Sequence, residues 1–163
     1  MKSIVFILFL LLLGTSILGQ GRKLPSVNLK TIEGKTIDIS KIDNNGKPIV
    51  VSFWATWCKP CKTELNTIAE EYEDWQEETG VKLIAVSIDN ARSTGRVEPY
   101  INGQGWEYLV LLDPNGDLKR AMNVNNVPHT FLIDGKGNIV WDHNNYVAGD
   151  EHELYEQIKK YSN

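Results

Sequence analysis

Phe53-Trp54-Ala55-Thr56-Trp57-Cys58-Lys59-Pro60-Cys61 is the stretch on which the chain turns, because it joins two periodicities and holds both cysteines. Upstream, Ile49-Val50-Val51-Ser52-Phe53-Trp54 is a nearly unbroken apolar run, the pattern of a strand covered on both faces. Downstream, Leu65, Ile68, Ala69, Tyr72 and Trp75 recur at spacings of three and four. That is one stripe of an amphipathic helix from Lys59 to Glu78, stopped at Gly80. The cysteines therefore sit where a buried strand hands over to a helix.

That position bears on their chemistry more than the C-x-x-C spacing does. Half of a zinc site has the same spacing, but zinc takes four ligands, there is no second cysteine pair, and His129, His143 and His152 are not spaced as a ligand pair. A purely structural staple is the other alternative, yet a disulfide closing so short a loop removes little entropy from the unfolded chain. Redox exchange fits better. A sulfur at a helix N-terminus faces unpaired N–H groups and the positive end of the macrodipole, which favour thiolate, the attacking species. Lys59 adds a nearby positive charge. Pro60 lies early in the helix, where its missing N–H is harmless and its fixed φ preorganises the turn. Cys58 is thus expected to be held, ionised and reachable from solvent. Cys61, one step deeper, is expected to be shielded and to resolve the mixed disulfide that Cys58 forms.

Outward from this segment, Val27 to Ile32 and Thr36 to Ile39 alternate apolar and polar around Glu33-Gly34, which predicts a hairpin. Strands are predicted at Val81 to Ile88, Trp106 to Leu112, Thr130 to Asp134 and Asn138 to Asp142, the last two paired antiparallel through Gly135-Lys136-Gly137. Short helices are predicted at Val97 to Asn102 and Asp117 to Met122. A final helix, capped by Asp150, carries Leu154, Tyr155 and Ile158 on one face. Strands alternating with helices and closing on a hairpin imply an α/β fold with a central mixed sheet covered by helices.

Composition sets the boundaries. The 163 residues are 42% hydrophobic and 23% charged, an ordinary globular composition for one domain, and a net charge of −4 disfavours general nucleic-acid binding. Glu70, Glu71, Glu73, Asp74, Glu77 and Glu78 read as the wet face of the long helix. Met1-Lys2-Ser3 followed by the apolar run Ile4 to Leu13 and small residues reads as a signal peptide over residues 1–21, with cleavage near Gly19 or Gly21. Through Leu18 the stretch approaches spanning length, so residues 4–18 retained as a membrane tether are the alternative. Either way the domain at 22–163 is expected outside the cytoplasm.

The segment from Phe53 to Cys61, with Leu111-Leu112-Asp113-Pro114-Asn115-Gly116 and Val127-Pro128-His129-Thr130-Phe131-Leu132-Ile133-Asp134, resembles the thioredoxin superfamily. It is most similar to the exported TlpA/ResA-like thiol-disulfide oxidoreductases. The resemblance implies a thioredoxin-like fold with an extra N-terminal hairpin and an αβ insertion, and a redox-active Cys58/Cys61 pair with neither bound cofactor nor metal. It further implies that Pro128 is a cis proline whose neighbour Val127 offers backbone hydrogen bonds to substrate, with Trp57 and Pro60 on the same docking rim. Ser52 stands where cytoplasmic members carry a buried aspartate. Glu64 matches a glutamate that serves the second cysteine, against the plain alternative of a solvated surface residue. His129 departs from the usual threonine and is a candidate modulator of Cys58, against the plain alternative of a partly exposed strand-end histidine; Lys59 is a second candidate modulator. The implied function is a monomeric reductant of protein disulfides, recharged by a membrane electron donor. A thiol oxidant or isomerase, a thiol peroxidase and a scaffold with a permanent bridge are the alternatives.

Overall fold

Ile49–Trp54 forms β3, and all six of its residues are buried. Val50 and Trp54 point into one apolar cluster, while Ile49, Val51 and Phe53 point into a second on the other side of the sheet. The computed structural model that shows this describes residues 21–162. The expected signal or tether therefore lies outside the described residues, apart from Gly21.

Among the described residues, seven strands form one mixed sheet in the order β2-β1-β5-β4-β3-β6-β7. The hairpin β1 (Asn28–Thr31) and β2 (Thr36–Asp38) pairs antiparallel and adds to one side through β5 (Leu109–Leu112). β4 (Lys82–Ser87) runs parallel to both β3 and β5, and β6 (His129–Ile133) with β7 (Ile139–Asn144) closes the other side antiparallel. The helices are α1 (Lys59–Thr79), α2 (Val97–Gln104), α3 (Asp117–Ala121) and α4 (Asp150–Tyr161). This is a thioredoxin-like α/β fold carrying the expected extra hairpin and inserted helix. None of the described helices is long and apolar enough to cross a membrane.

α1 buries Leu65, Ile68, Tyr72 and Trp75, the predicted stripe, and Gly80 ends it at φ 69° with its N–H on the Gln76 carbonyl. Burying each side chain of leucine size contributes about 1.5–3 kcal/mol. The charges on α1 run against the macrodipole. No acid lies in its first turn and no base in its last, so each end forgoes about 0.3–1 kcal/mol.

Two expectations are corrected. The strand predicted from Trp106 begins only at Leu109, because Trp106 and Tyr108 are drawn onto α1. The Trp106 Nε1–H donates to Asn66 at 2.8 Å and the Tyr108 hydroxyl to the Leu65 carbonyl at 2.7 Å. Asp150 does not cap α4. Gly149 is the N-cap, at φ 107°, and Asp150 is the first helical residue. Its carboxylate instead accepts the Val147 N–H at 2.8 Å and faces His143 Nε2 at 3.1 Å.

Gly135, in the β6–β7 turn, packs its Cα against the loop before β3. A methyl group added there would drive into the Gly46 carbonyl, which is backbone and cannot swing aside. Gly135→Ala is expected to lower stability by about 1–3 kcal/mol in urea unfolding.

Candidate active site

α1 starts where β3 ends, and Cys58 is its N-cap. The Cys58 backbone is extended (φ −87°, ψ 102°), and its sulfur accepts the Cys61 N–H at 3.3 Å. A proline falls within the first two helical positions. Cys58 and Cys61 are joined as a disulfide, with Cα atoms 5.4 Å apart. Sulfur thus takes the place of the usual oxygen cap, where free N–H groups and the macrodipole favour an anion.

Cys61 is wholly buried, Cys58 is 5% exposed and Trp57 is 63% exposed. The freely reachable sulfur expected at Cys58 is therefore a narrow strip. Bonded to Cys61 and held by its N–H, the sulfur turns into the helix cap. Of the two cysteines, only Cys58 keeps any surface. Lys59 and Pro60 are exposed beside it.

Glu64 is not a solvated surface residue, being only 5% exposed. Its Oε1 accepts the Thr130 hydroxyl at 2.7 Å, and Thr130 lies 3.0 Å from the Ser52 hydroxyl, its cross-strand partner. One hydroxyl carries one proton, so Thr130 accepts from Ser52 when it donates to an ionised Glu64. Glu64 Oε2 has no partner. Burial pushes the Glu64 carboxyl up from 4.5 to about 7, and the Thr130 bond pulls back against it. The negative charges of Asp150 and Glu151 push it further up. For Glu151 itself burial acts upward too, but the Tyr146 hydroxyl and the Gly149 N–H bond its carboxylate and hold it below the ordinary range. It therefore faces Glu64 as an anion.

The Val127–Pro128 bond is cis. Pro128 is buried and Val127 half-buried, and the Pro128 carbonyl accepts the Asn145 N–H at 2.9 Å. His129 does not join this group. Side chains alternate along β6, so with Thr130 facing α1, His129 faces the other side. Its ring stacks on Phe131 at 4.2 Å. Its Nε2 lies 3.1 Å from the Asp142 carboxylate and its Nδ1 3.4 Å from the Asn144 amide. Both ring nitrogens are engaged, leaving none for the Cys58 sulfur.

Sequence reasoning missed Asp89, 1% exposed just beyond β4. Its carboxylate accepts the Thr56 N–H at 2.8 Å, the Thr56 hydroxyl at 2.7 Å and the Ser87 hydroxyl at 2.9 Å. It thereby ties down the loop that presents Trp57 and Cys58. An acid closing the apolar run Val81 to Ile88 was the available signal.

Residues 20–142 match the AhpC/TSA family. The chain belongs to that family. Among its relatives, the thiol-disulfide oxidoreductase ResA of Bacillus subtilis is 32% identical over 127 residues, 78% of this chain and 68% of the relative. The thiol:disulfide interchange protein DsbE of Yersinia pestis is 33% identical, over 86% of this chain and 73% of the relative. The solution structure of a thioredoxin-like protein from Porphyromonas gingivalis is 54% identical, with a TM-score of 0.76, covering 85% of this chain and 91% of that one. This AhpC/TSA member is a thioredoxin-like thiol-disulfide oxidoreductase of the ResA and DsbE kind.

The buried acid gives the family member a pH-dependent stability. Glu64 titrates at about 7 in the fold against 4.5 when unfolded. Below 4.5 it is protonated in both states and imposes no penalty; above 7 the folded protein carries a buried charge that the unfolded chain solvates. Stability is expected to fall by about 2.5 kcal/mol between pH 5 and 8. Urea unfolding of the oxidised protein across that range checks it, and Glu64→Gln is expected to remove most of the slope.

Proposed function

We propose that this oxidoreductase works outside the cytoplasm as a reductant of disulfides in partner polypeptides, without a bound cofactor. In this reading residues 1–21 export or tether the domain at 22–163. The domain acts as a monomer, and a membrane electron donor recharges it. The observation that supports it best is the cysteine pair closing the start of α1, Cys58 with a 5% strip of surface and Cys61 with none, on the helix that also carries the buried Glu64.

Each turnover moves two electrons. The Cys58 thiolate attacks one sulfur of the substrate disulfide, forming a mixed disulfide and releasing the other sulfur as thiolate. Glu64 takes the Cys61 proton, and the Cys61 thiolate attacks the Cys58 sulfur. The Cys58–Cys61 bond forms, the mixed disulfide breaks, and the second substrate thiolate leaves. The dithiol is oxidised and the substrate disulfide reduced. Lys59 and the helix end favour the Cys58 anion. Trp57, Pro60, Val127 and Pro128 form the docking rim, where Trp57 offers an exposed aromatic ring.

The dithiol-treated protein is expected to reduce insulin, Cys58→Ser to lose the activity, and Cys61→Ser to accumulate a mixed disulfide with substrate. Insulin reduction no faster than background would overturn the exchange reading in favour of a scaffold. Equilibration with glutathione buffers tests direction: a pair more oxidising than glutathione would replace the reductant with an oxidant.

In the wild type, resolution by Cys61 is expected to accelerate as pH rises through about 7, where Glu64 becomes a base. In Glu64→Gln that rise is expected to move towards the free-thiol range, about 8.5. An unchanged stopped-flow profile would exclude Glu64 from proton transfer.

A further inference from the structure

Asn125, Asn126 and Val127 form no backbone hydrogen bond among the described residues. Upstream the last such bond runs from the Val124 N–H to the Lys119 carbonyl at 2.9 Å, and downstream the next runs from the Asn145 N–H to the Pro128 carbonyl at 2.9 Å. The N–H and C=O of half-buried Val127 are thus left for an incoming chain. Where they point is set by the residues that follow them. β6 starts at His129, immediately after the cis bond.

His129 carries a second hold at that place. Its cross-strand partner is Asn144. The Asn144 side-chain amide donates to Nδ1 at 3.4 Å, so the hydrogen of the neutral ring sits on Nε2, which donates it to the Asp142 carboxylate at 3.1 Å. Phe131 fixes the plane of the ring by stacking on it at 4.2 Å. Arg22 reaches the same carboxylate at 3.4 Å and lies over the Phe131 ring at 5.4 Å. Two successive residues that open β6 are therefore bound to the end of β7, Pro128 through the Asn145 backbone and His129 through the Asn144 and Asp142 side chains. A shorter side chain with a single hydroxyl could not bridge to both. This hold lies on the face of the sheet opposite α1, away from Glu64 and from the helix that carries the cysteines. It bears on where a substrate chain is seated, and leaves the exchange chemistry to the other face.

We propose that the His129–Asp142 pair positions the docking segment, holding Val127–Pro128 in the orientation that receives a polypeptide substrate, an inference that rests on the docking rim of the proposed function. The pair sets affinity for disulfides carried in a polypeptide and does not enter the exchange steps. His129 is a positioning residue, since it acts through the peptide bond that precedes it. The Asp142 side chain is 44% exposed, so water weakens the bond, and losing it is expected to change affinity about fivefold.

The test follows single-turnover reduction by the reduced protein with substrate in excess. One substrate is a synthetic peptide with one intramolecular disulfide, and the other is bis(2-hydroxyethyl) disulfide, which has no peptide group to pair with Val127. In His129→Thr and in Asp142→Ala the half-saturating peptide concentration is expected to rise about fivefold, with the limiting rate and the rate on the small disulfide unchanged. His129→Gln, which keeps a donor at the reach of Nε2, is expected to recover part of the affinity. The double variant is expected to be no weaker than either single one, because both remove the same bond. Asp142 is on the surface, so its variant carries the test if His129→Thr fails to fold. A half-saturating concentration unchanged in either folded single variant, or additive losses in the double variant, would overturn the proposal. So would a rate on the small disulfide that falls in step with the peptide rate, the sign of a generally loosened site. Activity of the wild type on the small disulfide with peptide affinity unmoved in the variants defeats only the positioning role, whereas no activity on it defeats the exchange reading as well.

Discussion

The start of α1 is held by a sulfur, and the rest of the site is arranged around that cap. β3 is buried on both faces and cannot slide, so its end fixes where the helix begins. Asp89 pins the intervening loop through Thr56, and the cis-proline loop closes from β6. In the oxidised protein the Cys61 N–H has a disulfide sulfur as acceptor, at 3.3 Å. A thiolate in that place is a stronger, charge-assisted acceptor and also meets the macrodipole. The same backbone group therefore interacts more strongly with the reduced, ionised pair. Cap geometry is in this way a redox determinant as well as a structural one.

Glu64 is the second determinant, and its environment is unusual for a carboxylate. One oxygen has Thr130 and the other has no partner. Where Ser52 stands, cytoplasmic thioredoxins resemble one another in a buried aspartate; in this chain the acid comes from the helix and Ser52 is reduced to one link in a hydroxyl chain. The direction of that chain follows the Glu64 proton, since Thr130 can give its single hydrogen to only one neighbour. Thr130 and Ser52 thereby position the acid while carrying no net charge of their own.

How much of this the sequence carried depends on how local each feature is. The handover from strand to helix, the stripe of α1 and its glycine stop are set by neighbours within a few residues, and all were legible. The burial of Glu64 was not, because it depends on β6 and on the start of α4, far away in the chain. The setting of His129 was hidden for a simpler reason. The strand was expected to begin at Thr130 but begins at His129, so the residue belongs to the pleat and alternation sends it to the face opposite α1. Trp106 and Asp150 were misread where tertiary contact overrode a local pattern. An aromatic found α1, and a capping residue type found a partner beyond its own helix end.

Two fields act in opposite directions on the redox pair, and their magnitudes decide between them. The helix end and Lys59 favour the Cys58 thiolate, which stabilises the reduced state and pushes the pair towards oxidising behaviour. Glu64 lies on the same helix, about 9 Å along its axis from Cys58, and a carboxylate there disfavours a second negative charge. The lysines are exposed, so water and salt screen them within about 8 Å. Glu64 is enclosed, and its interaction with a nearby sulfur is screened far less. At neutral pH, reduction must therefore protonate the acid, keep a thiol protonated or set two anions side by side, and each choice penalises the reduced state relative to the disulfide. The buried carboxylate thus opposes the helix end and Lys59, acting in the direction of the proposed reductant.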